Sequence, residues 1–319
     1  MRAIQVSRFG GPEVLELCTL PDLEPRPDEV VVELQAVGVN PVDTYIRAGT
    51  YGERPLPYVP GSDGAGTVRW VGRDISRWRE GDRVYLTGSQ TGTYASLTRC
   101  RGDQLQPLPE GISFGQGAAL FVPYSTAYRA LFQRARARAG EWVFVHGASG
   151  GVGLAAVQWA RASGMQVVGS AGSQAGLELV LAQGAHQALD HRDPDYLRQL
   201  VNCTGGSGPA VILEMLANVN LQNDLEVLAP HGRIVVIGSR GSLEFTPRAA
   251  MTKDADVLGM SLFNTPAPAL QSIQKAIVAG LETGFLKPVV GRSLPLSEAA
   301  EAHRLILEPG ALGKMVLLP

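Results

Sequence analysis

A glycine-rich run between two hydrophobic stretches carries the clearest chemistry in the chain: His146-Gly147-Ala148-Ser149-Gly150-Gly151-Val152-Gly153. Residues 142–146 before it are aromatic and β-branched, as in a buried strand; after it Leu154, Val157, Gln158, Ala160 and Arg161 follow a helical period. A strand, a tight turn and a helix start can bind a pyrophosphate. The helix N-terminus offers unsatisfied N–H groups and partial positive charge, and glycines let phosphates approach the backbone. Against the GxGxxG dinucleotide pattern, Ala148, Gly150 and Gly153 take the three positions, so the first glycine is an alanine. A glycine turn alone is often only a turn; the flanking strand and helix favour a nucleotide.

The second strand bears on which nucleotide. An Asp or Glu about 20 residues past the first glycine holds the ribose of NAD. Here the segment reads Val168-Gly169-Ser170-Ala171-Gly172-Ser173, and the next acid is Glu178. No carboxylate repels a 2′-phosphate, which favours NADPH over NADH. No lysine or arginine grips the phosphate there either; Ser173, His191 and Arg192 are the available donors, although His191 and Arg192 read equally well as surface polarity.

The elements that must position this loop form an alternating pattern. From residue 123 to about 263, strands over 142–146, 166–169, 187–189, 210–214, 233–238 and 256–262 alternate with helices over 151–163, 174–183, 194–203 and 221–229. Such a pattern predicts a doubly wound parallel sheet with strand order 3-2-1-4-5-6. Residues 1–120 are β-rich, with strands over 2–7, 14–19, 30–37, 66–71, 83–87 and 94–100, a short helix over 41–48 and a proline-rich loop after it. The tail reads as a helix over 268–283, a strand over 289–294, a helix over 297–308 and a strand over 313–318. It is too short to stand alone and is expected to rejoin the N-terminal half, making the nucleotide domain an insertion with a cleft between two bodies.

Composition narrows the class. The 319 residues are 45% hydrophobic and 18% charged, enough for a real core and wrong for disorder. A net charge of −2 argues against nucleic acid or an anionic membrane as main partner. Arg134, Arg136 and Arg138 read as a solvated helix end. Cys18, Cys100 and Cys203 have neither disulfide nor zinc spacing, and neither an apolar leader nor a run of about 18 apolar residues is seen, so a cytoplasmic protein is expected.

The chain closely resembles the zeta-crystallin-like NADPH:quinone oxidoreductases of the medium-chain dehydrogenase/reductases. The segments that carry the resemblance are GVNPVDTYIRAGTY (38–51), PGSDGAG (60–66), PYSTAYRAL (123–131), HGASGGVGLAA (146–156), EMLANVNL (214–221), VIGSRG (236–241) and GKMVLLP (313–319). The resemblance implies an α/β chain with a discontinuous GroES-like catalytic domain, 1–123 and 265–319, and a Rossmann NADPH-binding domain, 124–264. It implies that Asn40, Asp43, Thr44 and Tyr45 face the nicotinamide end, with Tyr45 and Tyr51 lining the substrate side. Asn40, Tyr45 and Tyr51 are then the candidate catalytic residues. Ser149, Gly150, Gly151 and Val152 match the pyrophosphate loop, and Gly172, Ser173 and His191 the adenosine side. Asn220, Ile237, Gly238, Ser239, Arg240, Met260, Ser261 and Leu262 match loops bordering ribose and nicotinamide; Thr126 and Lys314 complete the cofactor set. Some relatives carry a lysine and a tyrosine where this chain has Gly176 and His191, which leaves the grip on the 2′-phosphate open. Homodimers or homotetramers, commonly joined by sheet edges, are implied, with residues 256–262 the candidate edge.

Zinc enzymes of the superfamily use a cysteine, a histidine and often an acid as ligands. At the matching places stand Asn40 and Ser62, with Asp63 the one ionisable ligand. One carboxylate cannot supply a near-tetrahedral zinc set, so no metal is expected. A quinone needs no Lewis acid, being already electron-poor, and the expected task is to orient hydride donor and acceptor. Reduction of α,β-unsaturated ketones or aldehydes is the alternative within enzymes. RNA binding through the Rossmann cleft is the alternative of another class, opposed by the acidic balance and absent basic stripe.

Overall fold

The computed structural model describes residues 1–52 and 54–319. It divides into two compact units: Met1–Val122 with Ala276–Pro309 and Gly313–Pro319, and Pro123–Lys275 with Gly310–Leu312. The second division falls inside a helix, at residue 276, whereas the sequence suggests a boundary at 265.

In the first unit β1 (Arg2–Gln5) pairs antiparallel with β2 (Glu16–Thr19). The main sheet is built on β3 (Glu29–Gly38), where exposed Glu33 and Gln35 alternate with buried Val32, Leu34 and Ala36. Beside it lie β4 (Asp63–Val71), β5 (Arg83–Leu86) and β7 (Leu105–Pro107) on one side, and β15 (Lys314–Leu318) then β14 (Val290–Pro295) on the other; β6 (Leu97–Arg101) also pairs with β3. The tail thus rejoins the N-terminal half through β15. Helices α1 (Pro41–Arg47), α2 (Phe114–Gly117) and α10 (Ala299–Leu305) belong to this unit. Its core holds Val30, Val32, Leu34, Val84, Leu86 and Leu317, with Ala299 and Ala302 of α10 packed in.

Register in this sheet places chemistry. Gly38 of β3 lies opposite Asp63 of β4 and Val316 of β15, and Val39 N–H donates to Met315 O at 3.0 Å. Asn40, Asp63 and Lys314, far apart in sequence, therefore converge. Gly38 is what permits it: a Cβ there would lie 2.2 Å from Ala118 O, 2.7 Å from Asp63 Cβ and 2.8 Å from Lys314 Cε.

The second unit is a six-stranded parallel sheet in the order β10 (Gln187–Asp190), β9 (Gln166–Ala171), β8 (Trp142–Val145), β11 (Val211–Glu214), β12 (Arg233–Val236), β13 (Asp256–Gly259). This is the order 3-2-1-4-5-6 expected from the alternating pattern. Helix α3 (Phe121–Tyr128) leads in and continues through a wider turn over Arg129–Arg134. Helices α4 (Gly151–Ala162), α5 (Gln174–Ala182), α6 (Tyr196–Cys203), α7 (Ala217–Val227), α8 (Pro247–Met251) and α9 (Ala267–Glu282) follow. Phe144, Val168, Ile212, Leu225 and Ile234 make part of the core.

Several boundaries differ from the sequence reading. The strand expected over 94–100 begins at Leu97, because Thr93 and Tyr94 both give their N–H to Pro60 O instead. Helix α7 starts at Ala217 rather than 221, and the last Rossmann strand ends at Gly259 rather than 262, giving way to a 3-10 turn over Leu262–Asn264. The three residues of β7 and the four of α2 are too few to show a period.

Gly153 fixes how closely α4 packs on the glycine turn, since a Cβ there would meet Ala148 Cα and Gly147 O at 2.5 Å, both backbone. Gly153→Ala is expected to lower stability by about 1–3 kcal/mol through overpacking. Urea unfolding of the two proteins measures it, and an unchanged midpoint would argue against so tight a contact.

Candidate active site

In the first unit Asn40 occupies the N-cap position of α1, but its side chain does not cap the helix. It turns instead into a buried polar knot. Asn40 Nδ2 donates to Asp63 Oδ2 at 2.9 Å, and Lys314 Nζ donates to Asp63 Oδ2 at 2.7 Å and to Asn40 Oδ1 at 2.5 Å. Asp63 Oδ1 accepts the Val122 N–H at 2.8 Å. All three side chains are buried, Asp63 completely. Both oxygens of the one available carboxylate are therefore engaged, and a lysine ammonium already supplies the cation. This donor set does not fit a zinc ion.

The acid of α1 faces inward as well. Asp43 Oδ2 accepts the Asn40 N–H at 2.9 Å and the Tyr94 hydroxyl at 3.3 Å. Tyr94 Oη lies 3.0 Å from His303 Nε2, and Arg47 Nη1 lies 3.3 Å from His303 Nδ1. An arginine can only donate, so Nδ1 carries the lone pair and Nε2 the hydrogen. Every bond in the chain then points one way, from Arg47 through His303 and Tyr94 to Asp43. Burial lifts the Asp43 carboxyl to about 6, and burial with the Arg47 charge pulls His303 down to about 3.

The expected site residues of this unit separate by exposure. Asn40, Asp43, Thr44 and Lys314 are buried, and the Thr44 hydroxyl donates to Pro41 O. Tyr45 is half-buried and Tyr51 is 43% exposed.

In the second unit the glycine turn expected to receive a pyrophosphate lies between β8 and α4. Helix α4 starts at Gly151, and no side chain caps Gly150, which leaves first-turn N–H groups available to an anion. Ala148 N–H donates to Ser170 O at 2.7 Å, tying the loop to β9. Ser149 is buried, and Gly150, Gly151 and Val152 are partly exposed. At the end of β9, Ser173 caps α5 by accepting the Gly176 N–H at 3.1 Å. The His191 ring lies over Gly172, with Nε2 2.6 Å from where a Cβ would sit. Arg192 forms a fork with Asp190, so its cation is already paired. Only Ser173 lies between Gly172 and the start of α5, so the chain carries no acid at that turn.

The strand-end loops are tied to each other. Ala217 N–H donates to Gly238 O at 2.9 Å, and Asn218 Oδ1 accepts the Arg240 N–H at 2.8 Å. Asn220, Ile237 and Gly238 are partly exposed along this edge, with Ser239 and Arg240 more open. Met260 and Ser261 follow β13, Leu262 is buried in the turn after it, and Thr126 is buried on α3.

Sequence reading missed two groups. One is the Arg47–His303–Tyr94 chain. The other joins His146, Glu214 and Asp224, the cluster of potential metal-ligating side chains found among the described residues, with ligand atoms within 4.8 Å of one another. His146 Nε2 is 2.7 Å from Asp224 Oδ1 and 3.2 Å from Glu214 Oε2, and all three side chains are buried. The histidines look dispersed in sequence. Yet strand order 3-2-1-4 puts the ends of β8 and β11 side by side, which was signal enough to bring His146 and Glu214 together.

Residues 26–118 match the alcohol dehydrogenase GroES-like domain family, and residues 151–277 the zinc-binding dehydrogenase family. The chain is 49% identical over 323 residues to a quinone oxidoreductase of Rattus norvegicus, covering 100% of this chain and 98% of that relative. The solved structure of an Escherichia coli quinone oxidoreductase complexed with NADPH superimposes with a TM-score of 0.90 at 31% identity, covering 100% of each chain. A structure of an NAD-dependent alcohol dehydrogenase gives 0.93, also at 31% identity and with 100% of each chain covered.

His303 gives a pH prediction with a definite sign. Its folded value lies below its ordinary 6.5, so between there and about 3 the unfolded chain binds the extra proton, and stability falls as pH falls. Asp43, raised from 3.8 to about 6, acts in the opposite sense over its own narrower window. His303→Gln keeps an acceptor for Arg47 and a donor for Tyr94 but cannot titrate. The stability difference between wild type and H303Q should therefore shrink as the medium is acidified below about pH 6, by up to about 1.4 kcal/mol per pH unit. Urea unfolding at about pH 7 and about pH 4.5 measures it; a constant difference contradicts the assignment.

Proposed function

The chain belongs to the quinone oxidoreductase family of the medium-chain dehydrogenase/reductases, and on that premise we propose that it carries reducing equivalents from NADPH to a quinone without a zinc ion. The observation that carries this reading is the full-length similarity to a quinone oxidoreductase, at 49% identity, together with a site in which Lys314 already occupies the Asp63 carboxylate.

The uncapped start of α4, with Ser149, Gly150, Gly151 and Val152, holds the pyrophosphate. Gly172, Ser173 and His191 take the adenosine side, where the absence of a carboxylate favours a 2′-phosphate. Asn220, residues 237–240 and residues 260–262 flank the ribose and nicotinamide, with Thr126. Bound NADPH supplies the hydride.

The remaining work is orientation and charge. The Asn40 amide is fixed at both ends, its oxygen by Lys314 and one N–H by Asp63, and its second N–H is left for the acceptor oxygen. Tyr45 and Tyr51 provide hydroxyl donors beside it on α1 and the loop that follows. Asp43 and Thr44 act from behind, holding the first turn of α1. The quinone oxygen that gains charge receives a hydrogen bond from these donors, and its proton comes from solvent. Metal polarisation is not needed for a substrate that gains aromaticity on reduction.

We also place the protein in the cytoplasm, where its unpaired cysteines would stay reduced. No helix among the described residues is long and apolar enough to cross a membrane. The assembly proposed is a dimer or tetramer joined through β13, the last strand of its sheet, where Val257 is 42% exposed.

Stopped-flow oxidation of NADPH tests the function. Turnover with ortho- or para-quinones, kcat/KM higher than for α,β-unsaturated ketones, and tighter binding of NADPH than NADH are expected. No quinone turnover, or NADH binding as tightly, would overturn the reading. Tyr51→Phe should lower kcat/KM for quinone about tenfold with the NADPH Kd unchanged. Equal loss in both would make Tyr51 a packing residue.

A further inference from the structure

Glu214 is the last residue of β11, and both loops at that end of the sheet hang on it. Its Oε1 accepts the Leu216 N–H in a short hydrogen bond and the Asn220 amide at 3.2 Å. Its carbonyl accepts the N–H groups of Ile237 at 2.8 Å and Gly238 at 3.3 Å. Its other carboxyl oxygen, Oε2, has no donor, nor does Asp224 Oδ2, and both residues are 0% exposed. The two carboxyls share one buried cluster with His146, their ligand atoms within 4.8 Å of one another. Carboxylate oxygens accept only, so two of them so close and so buried favour a proton on one.

We propose that Glu214, joined to Asp224 and His146, is a positioning residue that holds the cofactor loops in place and takes up a proton when a nicotinamide nucleotide binds. The proposal rests on the NADPH reading above and adds to it how this unit answers the charge of its ligand.

The charges around the cluster support it. The groups that face it are His146 at the end of β8, Asp224 from α7, Tyr196 from α6 and, next outward, His191 after β10. None is a permanent cation. Phe144 packs against the His146 ring at 4.5 Å and closes one side. Two carboxyls without a lysine or arginine in a dry site cannot both stay ionised at low cost, and burial holds both above the ordinary carboxylate range. His146 is also held neutral by burial. The glycine turn that receives the pyrophosphate starts at the next residue, Gly147. A polyanion arriving there raises the proton affinity of the pair behind it. The sign is thus uptake of a proton on binding, with affinity falling as pH rises through neutrality.

Isothermal titration with NADH tests this, because NADH lacks the 2′-phosphate, which itself titrates near pH 6. Binding heats at about pH 7.5 in two buffers of different ionisation enthalpy give the protons exchanged. The wild type should take up roughly half a proton to one proton per site, and Glu214→Gln and Asp224→Asn should each take up less than about 0.2. E214Q should also lose the fall of NADH affinity with rising pH, because it carries no charge for binding to neutralise. Should both variants fail to fold, infrared difference spectra of the wild type supply the answer: NADH binding should strengthen the protonated-carboxyl C=O band. Binding without proton uptake, undiminished uptake in both variants, an unchanged carboxyl band, or a stoichiometric divalent metal in the purified protein would each overturn the proposal. Absence of any binding heat with NADH and NADPH alike would overturn the cofactor reading as well.

Discussion

The contact between Lys314 and Asp63 is the constraint on which the first unit depends. One partner is on the last strand of the chain and the other starts β4, and the Asn40 side chain is clamped between them. A fully buried carboxylate without its cation would carry a large desolvation penalty, so neither residue can be removed alone without cost. The same contact sets the chemistry. It fixes the Asn40 amide, engages the carboxylate that a metal would need, and leaves a positive charge that cannot dissociate as a bound ion can. The missing side chain at Gly38, where Ala118 O, Asp63 Cβ and Lys314 Cε crowd in, makes it geometrically possible.

The second unit solves a related problem differently. Its buried carboxyls, Glu214 and Asp224, have no cation among the groups facing them. They are compensated by hydrogen bonding and by a neutral histidine. One unit therefore contains a buried ion pair, while the other contains buried carboxyls whose facing groups include no permanent cation. The first arrangement suits a site that must hold one side chain still. The second suits loops that meet a highly charged cofactor.

Much of this was legible in the sequence, for identifiable reasons. Helices of about ten residues and β-branched strands have strong periods, so the sheet order around β8 followed from the alternation alone. The glycine turn was legible as a strand-to-helix junction because close packing at Gly153 demands a particular residue. What stayed hidden depends on register between distant segments. Nothing local in Gly313-Lys314-Met315 says that the ammonium will meet Asp63; the pairing of β15 with β3, and of β3 with β4, decides that. Asn40 before Pro41 looks like an N-cap, and only tertiary partners turn its side chain away. Tyr94 and His303 are 209 residues apart, and their contact follows from packing α10 under the sheet. His146 and Glu214 are the intermediate case, readable once strand order is known.

The most direct test of the account is a double-mutant cycle on Asp63 and Lys314. Unfolding free energies are needed for the wild type, Asp63→Asn, Lys314→Met and the double variant. Each single change should cost about 3–5 kcal/mol by leaving a buried group uncompensated, and the double variant should cost clearly less than their sum, with a coupling of about 2 kcal/mol or more. Additive losses, with coupling near zero, would contradict the claim that this contact organises the site.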